Sequence, residues 1–190
     1  MAGMTASPTR TDRLVLALAQ TRSTVGDLVG NSAIVRAARA EAAAKGADLV
    51  MFPELNLAGY PPEDLVLKPA FQEACRTAAE DLARETADGG PALLIGLPWV
   101  EEGKLYNAYA LLAGGRIEAV RFKVDLPNYG VFDEKRVFAR GPLPGPVVFK
   151  GVRIGIPVCE DIWTDEVCEC LAETGAEILL VPNGSPYWHG

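Results

Sequence analysis

In residues 13–55, "RLVLALAQTRSTVGDLVGNSAIVRAARAEAAAKGADLVMFPEL", two short apolar runs flank an alanine-rich stretch. The first run, 13–21, is rich in Val and Leu and reads as a short buried strand. The alanine-rich stretch has Asn31 or Ser32 to cap its start and Gly46 to close its end, which predicts a helix. The second run, 47–55, reads as another buried strand that breaks at Pro53–Glu54. Working outward, "GYPPEDLVL" (59–67) is an irregular loop leading into a helix at about 69–87, and "PALLIGLPWV" (91–100) is a third strand. Residues 104–126 alternate apolar and polar side chains about Gly114–Gly115, the pattern of a hairpin. "LPNYGVFDEKRVFARGPLPGP" (126–146) reads as too polar and turn-rich to be core. "VVFKGVRIGIPVC" (147–159) then gives a strand pair, followed by a helix holding Cys168 and a last strand in "AEILLVPNGSP" (176–186). The order β-α-β-α-β-β-β-loop-β-β-α-β predicts an α/β layered domain with a mixed main sheet covered by helices. Residues 1–12 read as a disordered lead-in, and residues 13–190 as one domain that stops abruptly after a strand, as a truncated domain would.

The 190 residues are 49% hydrophobic and 23% charged, within the range of globular proteins. A net charge of −7 argues against non-specific binding to nucleic acid or anionic lipid. No apolar run approaches the roughly 20 residues of a membrane span. The amino terminus has no apolar signal-peptide core, which points to a cytoplasmic setting and reduced thiols. The four cysteines, Cys75, Cys159, Cys168 and Cys170, form no C-x-x-C pair. Cys75, Cys168 and Cys170 fall on predicted helices and read as structural. His189 is the only histidine, so a zinc site has almost no imidazole to draw on and no metal is expected. Any nucleophile here would take its base from a carboxylate.

Three predicted strand ends carry a reactive polar residue: Glu54 after "LVMFP", Lys123 after "IEAVRF" and Cys159 after "VRIGIPV". Reactive groups in open α/β sheets gather beyond strand carboxyl ends. A cysteine is a strong nucleophile once deprotonated, and a carboxylate in apolar surroundings can hold its proton. A nearby lysine adds positive charge for the thiolate and for an oxyanion, for which the Glu160 N–H is a second candidate donor. Residue type and spacing alone leave the plainer alternatives open: a core cysteine, a capping glutamate and a solvated lysine.

"FPELNLAGY", "RFKVDLPNYGVFDEKRVF" and "GIPVCEDIW" together resemble the Glu–Lys–Cys signature of the nitrilase superfamily of carbon–nitrogen hydrolases. Within it, "VGDLVGN", "GYPPEDLVL", "LPNYGVFDEKRVF", "CEDIW" and "NGSP" are similar to the glutaminase domains of glutamine-dependent NAD synthetases. The resemblance spans nearly the whole chain from Leu14. It implies a four-layer αββα sandwich, incomplete at its carboxyl end, because the family's domain continues further. It also implies that Glu54 is the general base, Lys123 stabilises charge, Cys159 forms a γ-glutamyl thioester and Glu134 orients Lys123. Tyr60, Tyr129, Ser185 and Glu160 fall where that family contacts L-glutamine. By the same resemblance, the ammonia goes to a synthetase domain of the parent chain, where ATP and Mg²⁺ act, and the protein is a homo-oligomer. No S-G-G-x-D-S phosphate loop occurs in these residues, so this domain itself is expected to need no cofactor. A free-standing amidase or carbamoylase and a non-catalytic fragment are the competing readings.

Overall fold

Two parallel and two antiparallel pairings build the larger sheet. β1 (Leu16–Leu18), β2 (Leu49–Met51) and β3 (Ala92–Glu101) lie parallel, while β4 (Lys104–Ala113) and β5 (Arg116–Phe122) extend the sheet antiparallel, each to its predecessor. The crossovers are α1 (Leu28–Ala44) and α2 (Pro69–Glu85). After a single-turn α3 (Glu134–Val137) comes a smaller sheet in the order β6 (Val147–Phe149), β7 (Val152–Gly155), β8 (Ile178–Leu179), with α4 (Asp165–Glu173) linking the last two. This computed structural model describes residues 13–185, so the expected lead-in over 1–12 and His189 lie outside the described residues.

Strand alternation sorts the core into layers. Leu49, Leu94, Tyr109 and Leu111 share one face of the large sheet and pack on Val147 and Ile154 of the small sheet and on Leu180 just after β8. Val50, Leu93, Ile95 and Leu112 point the other way, onto Val35 and Ala42 of α1 and Ala79 and Leu82 of α2. α4 buries Val167 and Leu171, the latter over Gly155, on the outer face of the small sheet. Helices, sheet, sheet and helix make the expected αββα arrangement. Each fully buried aliphatic side chain contributes roughly 1.5–3 kcal/mol, so the two apolar seams are the main source of stability. Among the described residues no helix is long and apolar enough to cross a membrane.

Two sequence expectations change. α1 starts a turn before Asn31: Asp27 is its cap, accepting from Gly30 N at 2.9 Å. Asn31 is instead buried inside the helix, where it bonds Thr24 and Leu57. Lys45 is the C-cap and Gly46, at φ 72, is the next residue; the Gly46 and Ala47 N–H groups return to Ala43 and Ala42. The 126–146 segment is also partly core. Leu126 and Phe138 pack with Leu55 and Val66, and Glu134 is buried. The segment's average polarity conceals three anchoring side chains among its turns.

Candidate active site

Chain direction brings the reactive strand ends together. Two antiparallel steps from β3 to β5 reverse direction twice, so β5 runs the same way as β2 and their carboxyl ends share one edge. Glu54 follows β2 past Pro53, and Lys123 is the residue immediately after β5. Lys123 Nζ donates to Glu54 Oε1 at 2.7 Å and to Glu134 Oε1 at 2.9 Å, with the ammonium fully enclosed. Cys159 stands four residues beyond β7, at φ 49, a left-handed conformation that costs a non-glycine residue of order 1–3 kcal/mol. Its N–H donates to Pro182 O at 2.9 Å, and Gly184 N donates to Glu54 Oε2 at 3.0 Å. The segment after β8 thus ties the cysteine turn to the glutamate.

The electrostatics follow from this enclosure. Burial disfavours the Lys123 ammonium, but the Glu54 and Glu134 carboxylates outweigh that and hold it charged. Burial and the Glu54 charge raise the Glu134 carboxyl above its ordinary value, against the pull of Lys123 and Tyr60. Burial, then the Glu54 charge, push the Cys159 thiol up to about 12, while Lys123 and the Gly184 N–H oppose the shift. The Lys123 charge does favour the thiolate, but burial and the Glu54 charge outweigh it. The resting sulfur is a protonated thiol beside Glu54, so attack by it requires a base.

The other expected site residues divide. Tyr60 donates its hydroxyl to Glu134 Oε1 at 2.9 Å, and burial keeps that phenol protonated. Tyr60 and Ser185 line a cavity of about 720 Å³ that Glu54 and Gly184 also line. Tyr129 and Glu160 do not line it. The Tyr129 hydroxyl donates to the Glu160 carboxylate at 2.9 Å, and Glu160 borders a separate depression of about 470 Å³ with Lys135 and Arg140. Of the remaining cysteines, Cys75 is fully buried in α2 with its thiol raised to about 12, whereas Cys168 and Cys170 are only half-buried on α4. The two α4 sulfurs face different neighbours, Asp161 O and Pro144 O.

Two residues that sequence reasoning passed over belong to the same cluster. Asn107, in β4, donates from Nδ2 to Glu54 Oε1 at 2.8 Å and to Glu134 Oε2 at 3.4 Å. A lone asparagine in the apolar run "LYNAYALL" is the signal that could have found it. Asp161 is fully buried and accepts from Val124 N at 3.0 Å, Asp125 N at 2.7 Å and Val158 N at 2.8 Å. One carboxylate thereby fastens the backbone just after Lys123 to the backbone just before Cys159. Burial raises Asp161 to about 6 despite its three N–H donors. A folded value above the ordinary 3.8 means that this group's stabilisation is complete below 3.8 and is lost as pH rises through about 6. Wild type should therefore gain about 2 kcal/mol relative to Asp161→Asn between pH 7 and pH 4.5, read by urea denaturation of both proteins. A gap that instead moves against wild type on acidification would show the N–H donors outweighing burial.

Comparison with known proteins places this geometry in context. A carbon–nitrogen hydrolase family model matches residues 15–190. The chain is 48% identical over 180 residues to a glutamine-dependent NAD(+) synthetase of Rhodobacter capsulatus, covering 95% of this chain and 32% of that protein. It superposes on the glutamine-dependent NAD+ synthetase of Acinetobacter baumannii with a TM-score of 0.86 at 35% identity, covering 92% of this chain and 33% of that one. An amidase mutant from Nesterenkonia sp. AN1, with acrylamide added at its active-site cysteine, gives a TM-score of 0.77 at 29% identity over 90% of this chain and 67% of that one. The chain thus spans about a third of the length of the synthetases it matches.

Proposed function

The chain belongs to the carbon–nitrogen hydrolase family, and on that premise we propose that it releases ammonia from the side-chain amide of L-glutamine. The observation that carries this reading is the enclosed Glu54–Lys123–Glu134 cluster with the Cys159 thiol beside Glu54. Glu54 takes the thiol proton as sulfur attacks the amide carbon, and the Lys123 ammonium with the Glu160 N–H stabilises the resulting oxyanion. Glu54 then gives that proton to the departing nitrogen, so ammonia leaves and a γ-glutamyl thioester remains. Water, deprotonated by the same carboxylate, releases glutamate and restores the thiol. Glu134, Tyr60 and Asn107 hold Lys123 and Glu54 in place through the contacts described above.

The likeness to glutamine-dependent NAD synthetases supports a destination for the ammonia. In this reading it passes to a synthetase partner, where ATP and Mg²⁺ drive amidation of nicotinate adenine dinucleotide. A homo-oligomer is part of the same proposal. A second reading, a free-standing amidase, is favoured by the Nesterenkonia likeness, since the chain covers two thirds of that enzyme.

Ammonia release from glutamine and from small aliphatic amides separates the readings. Glutamine should be preferred by about 10²-fold or more in kcat/KM, the discrimination that polar recognition of a substrate can supply. The reverse preference would favour the amidase, and no release from any amide would leave a non-catalytic protein.

A further inference from the structure

Asn107 is fully buried in β4, yet its Oδ1 has no hydrogen-bond partner among the described residues. A buried acceptor left unpaired destabilises a fold, so its retention calls for a reason. The other end of the amide supplies one. Nδ2 donates to Glu54 Oε1 at 2.8 Å and to Glu134 Oε2 at 3.4 Å, bridging the two carboxylates that also share Lys123. Turning the amide over would set Oδ1 against both carboxylates with no donor between them. The main chain fixes this placement, because Asn107 O accepts from Lys123 N at 2.8 Å. Asn107 thus contributes a donor without adding charge to a site that already holds two acids and one ammonium.

The consequence lies in how Glu54 is filled. A carboxylate offers about four acceptor positions, two on each oxygen. Oε1 accepts from Lys123 Nζ and Asn107 Nδ2, which saturates it. Oε2 accepts from Gly184 N at 3.0 Å, which leaves one position there. The same Gly184 N–H bears on the Cys159 thiol, and that thiol is within hydrogen-bond reach of Glu54, so Oε2 lies on the sulfur side.

We propose that Asn107 is a positioning residue which, by filling Oε1 alongside Lys123, reserves Glu54 Oε2 for the Cys159 proton. As the sulfur–carbon bond forms, the S–H proton moves to Oε2 and the carbonyl π pair moves to oxygen. This rests on Glu54 being the base, and adds which of its oxygens acts and what selects it. Among the described residues, the titratable groups facing Glu54 are Glu134, Lys123, Cys159, Tyr60 and Tyr109.

Ammonia release by the full chain from L-glutamine and from propionamide tests it, on wild type, Asn107→Leu and Asn107→Ala. Leucine keeps the branched shape without the donor, and alanine removes the donor with no bulk to misplace. Either variant that folds by circular dichroism suffices. kcat should fall about 10- to 10²-fold on both amides, the effect of one hydrogen bond to a charged group, with KM within about 3-fold. Losing a donor favours the proton-bound carboxyl, so the acid limb of the kcat/KM profile should move up by about 1 pH unit. A packing defect would leave that limb where it is. A folded variant with kcat within about 3-fold of wild type, or a fall with the acid limb unmoved, overturns the role of Asn107. Wild type that prefers propionamide overturns the glutaminase reading alone, since the base serves either amide. Release from neither amide overturns the base and this assignment together.

Discussion

Cys159→Ala should abolish ammonia release, with a loss on the order of 10⁶-fold, the scale seen when a covalent nucleophile is removed. No other thiol can substitute, since Cys75 is buried in α2 and Cys168 and Cys170 sit on α4. The fold should survive. Alanine keeps the Cβ, and the left-handed backbone at this position is held by the Cys159 N–H to Pro182 O bond, which the substitution retains. Acid quenching of wild type with glutamine, followed by mass spectrometry, should reveal a γ-glutamyl adduct on the peptide containing Cys159. The alanine variant should show none. Where the ammonia feeds a synthetase, synthesis from added ammonia should continue in the variant. Ammonia release within about 10-fold of wild type would remove the thioester from the mechanism.

Glu54→Gln should cost about 10²–10⁴-fold, the contribution of general acid–base catalysis. With the thiol near 12, only about 1 part in 10⁵ is thiolate at pH 7, so the rate depends on a base at the sulfur. Glutamine cannot accept that proton. It does remove a negative charge that disfavours the thiolate, which keeps the loss below that of losing the sulfur. A purely structural defect has a different signature. The partners of Glu54 are Lys123 Nζ, Asn107 Nδ2 and Gly184 N, all donors, so the new amide NH₂ must face at least one of them. To separate the two effects, kcat should be followed from pH 7 to pH 9. If Glu54 is the base, the variant's rate should climb close to tenfold per pH unit as thiolate forms without help, while wild type should not. A variant with near-normal ammonia release at pH 7 would end the carboxylate-base mechanism.

The layered fold was readable because its evidence is local. Alternation in "ALLIGLPWV" and "YALLAGGRIEAV" sorts side chains to two faces, and a polar residue at each strand end marks the edge where Glu54, Lys123 and Cys159 gather. What the sequence could not show were partnerships across long separations. Asn107 meets a glutamate 53 residues away, and Asp161 meets backbone 36 and 37 residues away. Each looks like a stray polar residue until the sheets are stacked. The cap at Asp27 was missed because Asn31 and Ser32, nearer the alanine run, are equally good capping residues on composition alone.

The Gly184 contact with Glu54 joins residues 130 positions apart. Its consequence is temporal. During synthesis at ~5–20 residues per second a domain generally folds as a unit, so a contact of this span waits for its last member. Glu54, Asn107 and Lys123 all emerge well before the segment after β8 that carries Gly184. For that interval the nascent chain carries these side chains while the last hydrogen-bond donor of Glu54 and the cysteine turn have yet to leave the ribosome.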